Sequence, residues 1–166
     1  MVPPVVERSI EGETGALVFW LEGVKGWNKD RPVRGPEPEW SRQISRMKLF
    51  DQLIANIDRN QGNLLYDADW HLFLIDHSRA FTEQTNLKGT AAVGIVDQTL
   101  WDAINALTRE DLQRVLGPWL EPRAIDAILS RREKMRDEIK KNVARRGEAQ
   151  VFLRGPVASS RTAGGC

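Results

Sequence analysis

The 166-residue sequence predicts a mainly α, α+β fold, and three stretches carry that expectation. Apolar residues recur every three or four positions over 41–56, the mark of an amphipathic helix. The same spacing returns over 97–147. Between them, "NLLYDADWHLFLIDH" reads as two short strands around an Asp-Ala-Asp turn. A chain of this length hides roughly two-thirds of its unfolded surface on folding, enough for one domain with a real core.

The elements follow in order. "GALVFWLEG" (15–23) is a short apolar run between glycines and predicts a strand. "VKGWNKDRPVRGPEPEW" (24–40) sets three Pro and two Gly among charges and predicts a linker. A helix starts at Trp40 or Ser41, buries a stripe of Ile44, Met47, Phe50, Leu53 and Ile54 with Ile57 as its last candidate, and ends near Asn56. The hairpin strands cover 63–66 and 71–75. With the turn centred on Ala68 and Asp69, Asn63 falls opposite Leu74, and Asp76 lies one diagonal step further on the same face. Residues 77–96 lack a sustained period and predict a long irregular loop, a kind of segment that is often functional. Two helices follow, over 97–107 and 108–116. Thr108 and Asp111 resemble a capping box for the second, and Gly117-Pro118 stops it. Pro122 suits a first helical position, and Ile125, Ile128, Leu129, Met135, Ile139 and Val143 mark one face of a helix ending at Gly147. The tail from Gly155 is small and polar and is expected to be disordered. The chain thus divides into 1–23, a linker at 24–40, the main unit at 41–147 and a tail at 148–166.

Twenty-four basic and 23 acidic side chains nearly cancel, so no global field recommends nucleic acid or an anionic membrane as partner. The most basic stretch, 131–146, holds eight basic and three acidic residues. Its apolar stripe and its pairs at helical spacing make it a docked helix in preference to a peripheral membrane or nucleic-acid contact. The one cysteine, Cys166, is the last residue, which precludes an intrachain disulfide and suggests a reducing, cytoplasmic setting. No run approaches the 18 apolar residues of a membrane span.

Asp58, Asn63 and Asp76 are the candidate functional residues. Singly, Asp58 reads as a turn residue after a helix, and Asn63 and Asp76 as strand-end polar groups. Together they suggest a cation site, because two oxygen ligands completed by phosphates and waters suit Mg²⁺. Zinc is disfavoured: His71 and His77 have no second ligand pair at helical spacing and no nearby cysteine.

"DRNQGN" followed by "LIDH" resembles the catalytic loop and metal-binding strand end of the protein-kinase-like superfamily, where an Asp is followed five residues later by Asn and, beyond a hairpin, by Asp. The start at Asn56 and the later "DHSRAF" are more similar to the lipid-kinase-like branch, which includes phosphatidylinositol 3- and 4-kinases, HipA-type kinases and secretory-pathway casein kinases. The resemblance implies a kinase-like large lobe, with helices around the catalytic hairpin and one strand left from a small lobe. It implies ATP as co-substrate and Mg²⁺ as cofactor. Asp58 would be the catalytic base or hydroxyl-orienting carboxylate, Asn63 and Asp76 the Mg²⁺ ligands, and Phe81 the residue packed behind the metal strand. Glu22 and Gly23 would lie at the hinge that meets adenine, beside Trp20. The acceptor would be an alcohol on a lipid, a protein or a small molecule.

The departures are equally plain. His77-Ser78 stands where protein kinases have Phe-Gly, no Ala-Pro-Glu follows, and no glycine-rich loop or strand lysine precedes the site. Only 57 residues come before Asp58, and Lys25, Lys29 and Lys48 lie in the linker or the helix. The start, "MVPPVVERSIEG", reads like mid-domain sequence. The expectation is either the C-terminal part of a longer kinase or a reduced, inactive kinase-like binding module.

Overall fold

The computed structural model of the chain describes residues 1–27, 34–89 and 93–155. Part of the expected linker and residues 156–166 of the expected tail lie outside the described residues, whereas 148–153 of that tail form a short helix and a strand. The fold is α+β, as the sequence predicts.

Its N-terminus is a two-stranded antiparallel hairpin, β1 (Val5–Ile10) and β2 (Glu13–Val18). Glu11 and Gly12 turn it with φ of 54° and 87°, the two positive values of a type I′ turn whose twist matches the strands. β2 overlaps the strand read from 15–23 only over 15–18: it begins two residues earlier, at Glu13, and stops at Val18. β1 was not foreseen, because "VVERSI" mixes apolar and charged residues on both faces. Every residue of both strands is exposed.

β3 (Lys25–Gly26), inside the expected linker, pairs with β4 (Leu64–Tyr66), which pairs in turn with β5 (Leu72–Leu74), all antiparallel. Leu64 lies opposite Leu74, one residue away from the predicted register. The displacement comes from the turn. Asp67 Oδ1 accepts from the N–H groups of Asp69 (3.0 Å) and His71 (2.8 Å), and Trp70 takes a left-handed φ of 65°. That adds a residue on the second strand's side. A bulky residue there is unusual; stacking on Tyr66 (centroids 5.4 Å apart) and an edge contact with Trp40 (6.0 Å) hold it.

α1 (Glu39–Leu53) lies between two apolar clusters. Trp40, Ile44, Met47 and Phe50 meet Leu64, Leu72 and Leu74 of the sheet. Leu49 and Leu53 face the helices: α2 (Gln98–Ala106), α3 (Arg109–Leu116) and α4 (Pro122–Arg146). The expected capping box is present, with Thr108 and Asp111 bonded reciprocally, and Pro122 and Gly147 bound α4 as predicted. Ile125, Ile128, Met135 and Ile139 are buried, and Leu129 and Val143 pack beside them. Burying each such side chain contributes roughly 1.5–3 kcal/mol.

A last short helix, α5 (Glu148–Val151), leads to β7 (Phe152–Leu153), which runs parallel to β6 (Val96–Asp97). This two-residue pairing joins ends more than 50 positions apart, and no local pattern announces it. Among the described residues no helix is long and apolar enough to cross a membrane.

Candidate functional site

The site begins where α1 stops. Asn56 N–H donates to Asp51 O (2.9 Å) and Ala55 N–H to Gln52 O (3.3 Å), with Ala55 left-handed at φ 53°. These are the two bonds of a Schellman motif, built without glycine. They turn the chain so that Asn56 is buried and Ile57 exposed, and the next residue is Asp58. The Asn56 side chain donates to Asp51 Oδ1 (3.1 Å) and accepts the Asp58 N–H (3.2 Å), which fixes the backbone of the loop.

Arg59 is its centre. The guanidinium grips Asp51 with two parallel bonds of 2.9 and 3.0 Å, and both side chains are nearly buried. It also donates to the carbonyls of Asn63 (3.0 Å) and Ile75 (2.8 Å), and a last N–H meets His77 Nε2 at 2.8 Å. One planar fork therefore holds the end of α1, the turn before β4 and the segment after β5.

Asn60 caps a 3₁₀ turn, Gln61–Asn63, by accepting the Gly62 N–H at 2.8 Å. The Asp58 carbonyl receives the amide groups of Asn60 (3.1 Å) and Asn63 (3.3 Å). With its NH₂ so engaged, Asn63 keeps its Oδ1 as an acceptor. The shifted register places Asn63 opposite Ile75, so the expected diagonal across regular strands does not form. Both residues leave the pleat: Asn63 ends the 3₁₀ turn and Asp76 has φ 53°.

Asp76 Oδ1 accepts from Ser78 Oγ (2.6 Å) and Ser78 N–H (3.2 Å), which holds its carboxyl below the usual carboxylate range. Among the described residues no donor reaches Asp76 Oδ2. The Asp58 carboxylate is half-exposed, and Arg79 Nε stands 3.8 Å away. Asn63 and Asp76 thus offer hard oxygens of the kind Mg²⁺ prefers, and neither needs rearranged hydrogen bonds to use them.

Phe81 packs against the helical cluster, and its N–H donates to Ile54 O (2.6 Å), joining the segment after Asp76 to the end of α1. Glu22 and Gly23 are exposed between β2 and β3, and among the described residues no hydrogen bond joins them to Asp58, Asn63 or Asp76. Trp20 is 81% exposed. Lys48 lines a cavity of about 200 Å³ with Asp51, Arg59 and Lys88; Lys25 lies in β3, and Lys29 is outside the described residues. Asp67, Asp69 and His71 bring their ligand atoms within 4.8 Å of one another at the hairpin tip. Closure of the turn accounts for that grouping, since Asp67 also pairs with His71 Nδ1 at 2.8 Å.

The basic stretch of α4 turns largely inward or along its own helix. Arg131 is fully buried and donates to the carbonyls of Leu53 (2.8 Å), Thr82 (3.1 Å) and Gln84, and burial lowers its pKa to about 10. Arg136 bonds Asn105 and Glu133, and Lys134 bonds Asn86.

Two participants were not legible in the sequence, Asp51 and His77 in its role as an acceptor, and Asn56 entered only as the first residue of the family resemblance. A carboxylate within the apolar run "LFDQLI" was the available signal for Asp51. No family model matches the chain, and no curated protein matches it either.

His77 supplies a pH test. Its Nε2 accepts from Arg59, so the ring is neutral, and burial first, then the Arg59 charge, lowers its pKa from the usual 6.5. The unfolded chain therefore takes up the proton first. The resulting stability is complete above pH 6.5 and is lost as pH falls from there through the folded value. Urea midpoints of the wild type should drop over this window, whereas His77→Gln, which keeps an acceptor, should flatten the decline. Parallel curves would remove His77 from the account.

Proposed function

We propose that residues 58–76 form the phosphotransfer half of an ATP- and Mg²⁺-dependent kinase-like site acting on an alcohol of a lipid, a protein or a small molecule. The Arg59 frame is the observation that carries this reading. It fixes the backbone at 58, 63 and 75 together while leaving carboxylate or amide oxygens of Asp58, Asn63 and Asp76 available. Phosphoryl transfer asks for positioning and charge neutralisation more than for covalent chemistry.

Asp58 orients the acceptor hydroxyl and receives its proton as the oxygen bonds to the terminal phosphorus of ATP and the bond to the leaving ADP oxygen breaks. Asn63 and Asp76 would hold Mg²⁺, which when bound neutralises the phosphate oxygens. The Ser78 hydrogen bonds keep Asp76 ionised for that role, and the Asn63–Asp58 bond keeps ligand loop and base loop in step.

A kinase-like regulatory module is the second reading. It is favoured by the absence of lysine from residues 1–24, so that β1 and β2 offer no ammonium to the phosphates. Mg²⁺-dependent ATP turnover separates the two. Asp58→Asn and Asp76→Asn should each reduce it about 100-fold or more, with unchanged thermal melting. Asn is the substitute at 76 because it tolerates the left-handed backbone there. Wild-type turnover in either variant sinks the phosphotransfer assignment; no turnover in the wild-type chain favours the module.

A further inference from the structure

Among the described residues, the β1–β2 hairpin is a sheet with every residue of both strands exposed. A lone two-stranded sheet is marginal in water, and three or more strands are needed for independent stability. Here Val5, Val6, Ile10, Leu17, Val18, Phe19 and Trp20 are all exposed, and among the described residues neither strand has a second neighbour.

The hydrogen-bond alternation identifies the open groups. The turn closes on the Ile10–Glu13 pair, and Phe19 N–H donates to Pro4 O at 2.9 Å. Narrow pairs therefore fall at 13, 15, 17 and 19 of β2, which point their N–H and C=O groups at β1. Thr14, Ala16 and Val18 point theirs outward. This outer edge carries no charge from Thr14 to Val18, no proline and no bulge, and so lacks the usual devices that keep an edge from pairing.

We propose that two copies of this chain pair antiparallel through the outer edges of their β2 strands, about a two-fold axis at Ala16, to form a four-stranded sheet. A second copy fits because the edge is complementary to itself. In antiparallel pairing about a two-fold axis perpendicular to the sheet, facing residues lie on the same face, so β2 can be centred on a residue but not between two. Centring on Ala16 uses all three outward residues and sets Ala16 against Ala16, Thr14 against Val18 and Gly15 against Leu17. Small groups meet on the axis, β-branched groups meet beside it, and no like charges face one another. The outer edge of β1 fails the same test: centring on Glu7 opposes two carboxylates, and centring on Arg8 opposes two guanidinium groups.

Ala16 lies outside the Asp58–Asp76 site, so the test is independent of the proposed activity. Light scattering on the eluting chain should give a mass approaching twice the monomer's as concentration rises. Ala16→Lys and Ala16→Glu, which place like charges on the axis, should each be monomeric and melt like the dilute, monomeric wild type, and mixing them should restore the dimer as a heterodimer. Ala16→Cys in a Cys166→Ser background should cross-link under mild oxidation, because directly opposed residues of a narrow pair sit about 5.5 Å apart at Cα, within disulfide reach. A wild-type monomer at every concentration overturns the proposal. So does a dimer that survives Ala16→Lys and yields no cross-link at 16.

Discussion

Arg59→Met is expected to lower folding stability by about 3–5 kcal/mol, because removing one partner of a buried ion pair leaves the other charge uncompensated. Asp51 would keep a nearly buried carboxylate without its fork, and the carbonyls of Asn63 and Ile75 would lose their donor. Arg59→Lys should fall between, since an ammonium keeps the charge but cannot reproduce five directed bonds in a plane. The urea midpoint measures the loss, and a double-mutant cycle apportions it: adding Asp51→Leu to Arg59→Met should recover part of the stability by removing the stranded charge. A single-mutant loss below about 1 kcal/mol would put this pair with the weak surface bridges and would undo the view of Arg59 as the frame of the site.

Asp97→Ala should be nearly as damaging, at about 3 kcal/mol or more. Its carboxylate is 1% exposed, lies 3.2 Å from Arg46 and 3.6 Å from Arg42, and caps α2 by accepting the Leu100 N–H at 2.9 Å. The Asp97 N–H donates to Ser45 Oγ (2.8 Å), whose hydroxyl donates to Ile95 O (2.9 Å). Arg42 reaches on to the Arg154 carbonyl (2.9 Å), so the same cluster ties the chain beyond β7 to α1. Asp97→Asn retains the cap acceptor and should cost less. Equal urea midpoints for the Asn and Ala variants would show that the cap contributes nothing.

Periodicity and punctuation made the helices legible. α1 carries its stripe at three- and four-residue steps, Thr108 and Asp111 mark a start, and Pro122 and Gly147 bracket α4. The β4–β5 hairpin was legible for the same reason, but its register was not. Trp70 in a left-handed conformation depends on its stack with Tyr66 and its contact with Trp40, a tertiary effect that turn propensities do not carry. β6 and β7 escaped because two residues of strand have no period. At the site, spacing singled out Asp58, Asn63 and Asp76 as a group, whereas the partners of Arg59 could not be read. Asp51 lies eight positions earlier on a helix, and two other partners are carbonyl oxygens, which every residue possesses. Sequence announces side-chain chemistry; it is silent about which backbone groups a fold leaves in need of a donor.

Gln52 illustrates the converse. From α1 its side chain accepts the Lys88 N–H at 3.0 Å and donates to the Lys88 carbonyl at 2.9 Å, as a peptide group of a neighbouring strand would. Together with the Ile54–Phe81 bond and the reach of Arg131 to Thr82, it fastens the segment after Asp76 at separate points instead of along a ladder. Order in this segment is therefore stored in the helices. A conservative-looking change in a buried helical glutamine would register as conformational freedom 36 residues away, in a stretch whose own sequence had not altered.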